Sequence, residues 1–135
     1  MPLITLVNKL IKRNIPSGII SFLISLFTSC TTRILGNDEL TSKIQFSRGL
    51  MQGAILAPLL FNIFIDDLAS TLSFKWPNVF FPHSLFFDDD IKLNHTSLVQ
   101  LQDMLDVCYR WSLDNGMEFN VSKSVMKPIT LVVNS

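Results

Sequence analysis

Three consecutive carboxylates, Asp88-Asp89-Asp90, stand between two apolar runs, Leu85-Phe86-Phe87 and Ile91-Lys92-Leu93. The flanks read as short strands and the triplet as the tight turn joining them. Carboxylates crowded at a turn repel one another, which is costly unless water or a cation neutralises them. Magnesium is the natural cation, a hard ion that takes a few carboxylates while retaining waters and phosphate oxygens. Two such ions can activate an attacking hydroxyl and stabilise the leaving oxygen of an in-line phosphoryl transfer. Taken alone, the triplet leaves a second reading open, that of a solvated acidic turn.

The remaining sequence predicts one folded domain. Its 135 residues are 48% hydrophobic, with eleven basic and eleven acidic side chains. That balance excludes disorder and a basic nucleic-acid-binding tail, so any grip on phosphate must be local. Cys30, Cys108, His83 and His95 lack the spacing of a closed zinc site. Leu3, Leu6, Val7, Leu10 and Ile11 recur at helical spacing, and Pro16-Ser17 marks a break into a second, buried helix ending near Ser29 to Thr32. The strongly apolar part of that helix is about half the length of a bilayer span, and no stable membrane partner is expected. Thr31 to Leu35 and Ser42 to Phe46 suit a hairpin around Gly36-Asn37-Asp38. A helix follows from Ala54 to Ala69 with Pro58 in its first turn or at a bend, then a loop from Asn78 to Ser84. Ser97 and Gln100 form a candidate capping box for a helix with the stripe Leu98, Leu101, Leu105, Cys108 and Trp111, stopped by Gly116. Met117-Glu118-Phe119 and Ile129 to Val133 are candidate final strands. The order suggests an α/β or α+β sheet covered by helices on one side.

The block Gly49-Leu50-Met51-Gln52-Gly53-Ala54-Ile55-Leu56-Ala57-Pro58-Leu59-Leu60-Phe61-Asn62, then Phe87-Asp88-Asp89-Asp90, then Trp111, Asn115-Gly116, Phe119-Asn120 and Lys123, forms an ordered set. It resembles the palm of reverse transcriptases, of the non-LTR retrotransposon type related to group II intron and retron enzymes, from about Leu3 to Ser124. The resemblance implies an α+β fold, a partial polymerase palm with helices packed on a small antiparallel sheet. It implies that Gly49, Gln52 and Gly53, with Arg48, lie toward template and incoming nucleotide. The local chemistry agrees, since glycines permit close backbone approach and Gln52 offers a donor and an acceptor. A helix start shaped by Gly53 and Pro58, and a solvated Arg48, are the plainer readings.

In the family's aromatic-x-Asp-Asp turn, Phe87 takes the aromatic place and Asp89 and Asp90 the metal-binding catalytic pair, for two Mg2+ ions. Asp88 departs from the pattern, standing where a small residue is usual. A third negative charge there is expected to distort the metal arrangement and impair polymerisation. Lys123 is carried over as the group that protonates or steadies the pyrophosphate leaving group, against a plain surface lysine beside Lys127. Trp111 reads as a core anchor rather than a stacking platform.

The family's further aspartate, on an earlier strand, has no counterpart, because Asp38 and Glu39 fall in the first hairpin. Residues 1–135 are therefore expected to be one partial reverse transcriptase domain, covering part of fingers and palm, with the upstream metal-binding strand and downstream thumb absent. The implied function is a fragment of an RNA-directed DNA polymerase from a retrotransposable element, acting on RNA template, DNA primer and dNTP within a complete protein and inactive alone. The missing palm, fingers and thumb segments would be needed for activity. A non-catalytic RNA-binding or protein-interaction module derived from the palm is the alternative, and a small membrane-associated protein using Ile19 to Phe27 is a third. The expected location is intracellular, nuclear or cytoplasmic. An unpaired sheet edge and eleven phenylalanines make aggregation the expected behaviour of the isolated chain.

Overall fold

The computed structural model describes residues 1–36, 39–45, 54–77 and 82–128. Helix α1 spans Leu3–Lys12 and α2 spans Ser17–Ser29. Asn14 takes a left-handed φ of 57° between them, where its short amide side chain is tolerated. Pro16 then supplies the extended residue from which α2 starts.

The predicted first hairpin forms as two short antiparallel ladders. Strand β1, Thr31–Thr32, pairs with β4, Ile44–Gln45. Inside it β2, Leu35–Gly36, pairs with β3, Glu39–Leu40, and Gly36 lies opposite Glu39. Thr41 bridges the two ladders: its backbone N–H donates to the Ile34 carbonyl at 2.9 Å and its hydroxyl accepts from the Ile34 N–H at 3.0 Å. Of the expected turn, Asn37 and Asp38 lie outside the described residues, as does Phe46 at the end of the second strand.

Helix α3 runs Ala57–Lys75, starting later and ending later than Ala54 to Ala69. Pro58 lies in its first turn, where backbone N–H groups have no intrahelical partner and a missing donor costs nothing. The helix continues past Ala69 because Leu72 and the following Trp76 still pack into the core. It is long and apolar enough to cross a membrane by length and composition. Its central Asp66 and Asp67, however, pair with Arg13, which caps the end of α1, and with Lys9 of α1, and its buried face is built into the protein core.

Strands β5, Ser84–Phe87, and β6, Asp90–Leu93, make the second hairpin, and α4 follows over Leu98–Asn115. The Ser97 side chain accepts from the Gln100 backbone N–H at 3.4 Å, forming one half of the expected capping box. Gln100 turns its side-chain oxygen instead to the Trp76 indole N–H, at 2.7 Å. Gly116 ends α4 with a φ of 61°. The buried face of α4 is Met104, Cys108, Ser112 and Asn115, with Leu101 and Trp111 half-buried at its border. Leu98 and Leu105 of the expected stripe are exposed, as is Ile11 on α1. On α4 the residues that pack against α3 are Met104 and Cys108, and on α1 the buried residues are Leu6, Val7 and Leu10, so Leu98, Leu105 and Ile11 lie off the packed faces.

Two apolar clusters meet along α3. One joins Leu6, Val7 and Leu10 of α1 and Ile20, Leu23 and Phe27 of α2 to Leu60 and Phe64. The other joins Ile65, Leu68, Leu72 and Trp76 to Met104 and Cys108 of α4, with Phe86, Ile91 and Leu93 of the second hairpin packed against it. Phe64, Leu68 and Leu72 are fully buried, and each contributes about 1.5–3 kcal/mol relative to exposure. The architecture is α+β, with α3 and α4 packed on a small antiparallel hairpin. Met117 to Phe119 do not form the expected strand. The Met117 N–H donates to the Ser112 carbonyl at 2.9 Å and its side chain turns back onto the first cluster, so no extended pairing forms. Residues 129–133 lie outside the described residues.

Candidate active site

The acidic triplet occupies the tip of the second hairpin. Ser84 pairs with Leu93, Leu85 with Lys92, Phe86 with Ile91 and Phe87 with Asp90, leaving Asp88 and Asp89 as a two-residue turn. Asp88 has a φ of 51°, the sign that the tight hairpin turns require at their first central residue. Aspartate tolerates that conformation better than most non-glycine residues.

Strand alternation sorts the side chains into two faces. Ser84, Phe86, Ile91 and Leu93 face inward; Ser84 is buried and the other three pack against the α3–α4 cluster. Leu85, Phe87, Asp90 and Lys92 face outward. Phe87 is 82% exposed and lies directly across from Asp90. All three aspartates are exposed, so their carboxylate oxygens are open to a cation and its ligands. The hairpin is therefore anchored by one face while presenting its acidic tip and an aromatic ring on the other.

The remaining site residues are less concentrated. Lys123 is exposed in a 3-10 turn, Val121–Lys123, after α4, and among the described residues no ion pair joins it to the triplet. Arg48, Gly49, Gln52 and Gly53 lie outside the described residues. The rest of that motif begins α3: Pro58 and Asn62 are exposed, while Phe61 packs against the second cluster. Among the described residues no three or more His, Cys, Asp or Glu side chains are grouped to hold a metal ion. The exposed oxygen donors of the tip match the preference of magnesium for one or two carboxylates plus substrate oxygens rather than an all-protein cage.

Two supports lie outside the motifs legible in the sequence. Asp67 of α3 binds Lys9 of α1 and the Trp111 indole of α4. An adjacent acidic pair, Asp66-Asp67, inside an apolar helical run was the available signal. At the open end of the hairpin, the Asn94 N–H donates to the His83 carbonyl at 2.7 Å, and the His83 and His95 rings stack 4.9 Å apart. Beneath the hairpin, burial pushes the Cys108 thiol from 9.0 up to about 11, against a smaller opposing backbone hydrogen bond.

Residues 1–129 match the family model described as reverse transcriptase (RNA-dependent DNA polymerase). The chain belongs to the reverse transcriptase family. This reverse transcriptase chain is also similar to a retrovirus-related Pol polyprotein from type-1 retrotransposable element R2 of Popillia japonica, 30% identical over 114 residues. The match covers 81% of this chain and 19% of that protein, so the chain spans about a fifth of the relative's length. Both similarities agree with the non-LTR type that the motif order implies.

Proposed function

We propose that residues 1–135 are part of one reverse transcriptase domain, and that its hairpin tip is the metal-binding part of an RNA-directed DNA polymerase site. Asp89 and Asp90 hold magnesium, which when bound supplies Lewis-acid activation of the primer hydroxyl and charge stabilisation of the leaving pyrophosphate. Phe87, across from Asp90, bounds the surface on which the primer end and nucleotide are laid. Arg48, Gly49, Gln52 and Gly53 serve template and nucleotide, and Lys123 steadies or protonates the leaving group. RNA template, DNA primer and dNTP are the partners of the whole protein. Residues 1–135 alone are inactive in this reading, because two-metal chemistry needs a further metal-binding carboxylate beside Asp89 and Asp90.

The observation that carries this reading is the hairpin itself: inward residues fix it to α3 and α4 while Phe87, Asp89 and Asp90 stand exposed together. The test is a chimera in which this segment replaces the matching segment of a complete R2-type polymerase. Magnesium-dependent extension of an RNA-templated primer, lost in Asp89→Ala and Asp90→Ala, is expected. RNA binding without extension, surviving both substitutions, would instead establish a non-catalytic binding module.

A further inference from the structure

The open end of the acidic hairpin is closed by side chains that the polymerase chemistry does not use. Asn94 follows β6, and its backbone N–H donates to the His83 carbonyl at 2.7 Å. Its carbonyl lies 3.0 Å from His83 Nδ1 and its side-chain amide donates to the Pro82 carbonyl at 3.1 Å. His95 stacks on His83 with ring planes 26° apart, and its Nδ1 accepts from the Ser97 backbone N–H at 3.0 Å. Ser97 in turn caps α4.

These partners dictate the proton positions. A carbonyl only accepts, so His83 carries its proton on Nδ1. A backbone N–H only donates, so His95 Nδ1 must be bare and its proton sits on Nε2. A second proton on His95 would turn Nδ1 into a donor facing another donor. Protonating both rings would also stack two like charges.

We infer that His83, Asn94 and His95 form a proton-sensitive clasp that positions the Asp89–Asp90 hairpin against the start of α4. The positioning role rests on the proposed polymerase reading; the clasp itself rests on the geometry alone. His83 and His95 are positioning residues, since they reach the acidic tip only through the strands. The charged groups on neighbouring elements are Asp90 and Lys92 on the outward face of β6, Asp66, Asp67 and Lys75 on α3, the last lying over the Trp76 ring at 5.1 Å, and Asp103, Asp106, Arg110 and Asp114 on α4. Among the described residues none of these is ion-paired with His95.

The test uses the whole chain, with long-range proton–nitrogen NMR of the imidazoles and amide-exchange protection factors corrected for intrinsic rates. At about pH 8 the spectra should show the Nδ1–H form of His83 and the Nε2–H form of His95. Lowering the pH to about 5 should cut protection of the β5, β6 and Ser97 amides about tenfold, the effect of losing one hydrogen bond, while the α1–α2 amides hold. His83→Phe, which keeps a stacked ring without a charge, should reduce that drop, and His95→Asn, whose side-chain oxygen can accept from Ser97, should abolish most of it. An Nδ1–H form of His95 at pH 8, or hairpin protection unchanged by acid, overturns the clasp. Failure of the chimera to extend a primer would remove the polymerase reading and leave these spectra unaffected.

Discussion

The Lys9 ammonium lies 2.8 Å from both carboxylate oxygens of Asp67, joining α1 to α3. It also donates to the Phe64 carbonyl at 2.6 Å and sits 4.4 Å from the Phe64 ring centre and 4.9 Å from that of Trp111. Asp67 accepts in addition from the Trp111 indole N–H at 2.8 Å, so one carboxylate ties three helices together. The Lys9 side chain is only 11% exposed, while that of Asp67 is 54% exposed. Removing the carboxylate therefore strands a largely buried charge, whereas removing the lysine leaves a carboxylate that water reaches.

Asp67→Ala should cost about 1–3 kcal/mol, and Lys9→Met less, because methionine keeps its packing on the two rings. Urea unfolding of both variants and the double mutant measures the coupling. A value under about 0.5 kcal/mol would show that the pair behaves as an ordinary surface ion pair.

At Gly116 two constraints coincide. Its φ is 61°, and an added Cβ would lie 2.8 Å from the Pro2 ring carbon Cγ. Gly116→Ala should lose about 1–2 kcal/mol from the left-handed backbone, plus the cost of displacing Pro2. Thermal unfolding of Gly116→Ala and of Pro2→Ala/Gly116→Ala separates the two, since the double mutant relieves only the contact.

Asp88 combines a charge with a left-handed turn position. Asp88→Asn removes the charge and keeps the tolerance for positive φ; Asp88→Gly removes both charge and strain. Asp88→Ala removes the charge but costs the turn about 1 kcal/mol or more. In the chimera, Asn and Gly should raise primer extension above the Asp88 parent, with Ala behind them. Equal extension for all four residues would mean that the third carboxylate is harmless.

The Cys108 thiol, raised by burial to about 11, gives a defined pH response. The folded chain keeps this proton where the unfolded chain releases it, so the contribution to stability is complete below pH 9 and declines as pH rises toward 11. The stability difference between wild type and Cys108→Ala should move against wild type as pH rises from 9 toward 11. The same burial predicts that a thiol reagent modifies Cys30, which is half-buried, before Cys108. Peptide mapping after timed alkylation reads the order directly.

Local chemistry makes much of this chain legible in its sequence. The acidic triplet between apolar runs marked the second hairpin, Ser97 and Gly116 marked the two ends of α4, and Pro58 marked the first turn of α3. Each signal arises within a few residues, from charge repulsion, a missing N–H, a capping oxygen or a permissive backbone, and so needs no knowledge of what packs nearby.

What depended on distant partners was not legible. Packing sets Met104 and Cys108 of α4 against α3, leaves the strongly apolar Leu98 and Leu105 outside, and buries Ser112 and Asn115 on the same helix. Gln100 turns to Trp76 rather than back to its own helix start, and Met117 folds onto the first cluster rather than extending as a strand. The sequence by itself determined the turns, the helix ends and the family motif, because these follow from local chemistry. Only the tertiary structure decided which carboxylate binds Lys9, which rows face the core and how His83 meets His95, because those energies depend on surfaces brought together from across the chain.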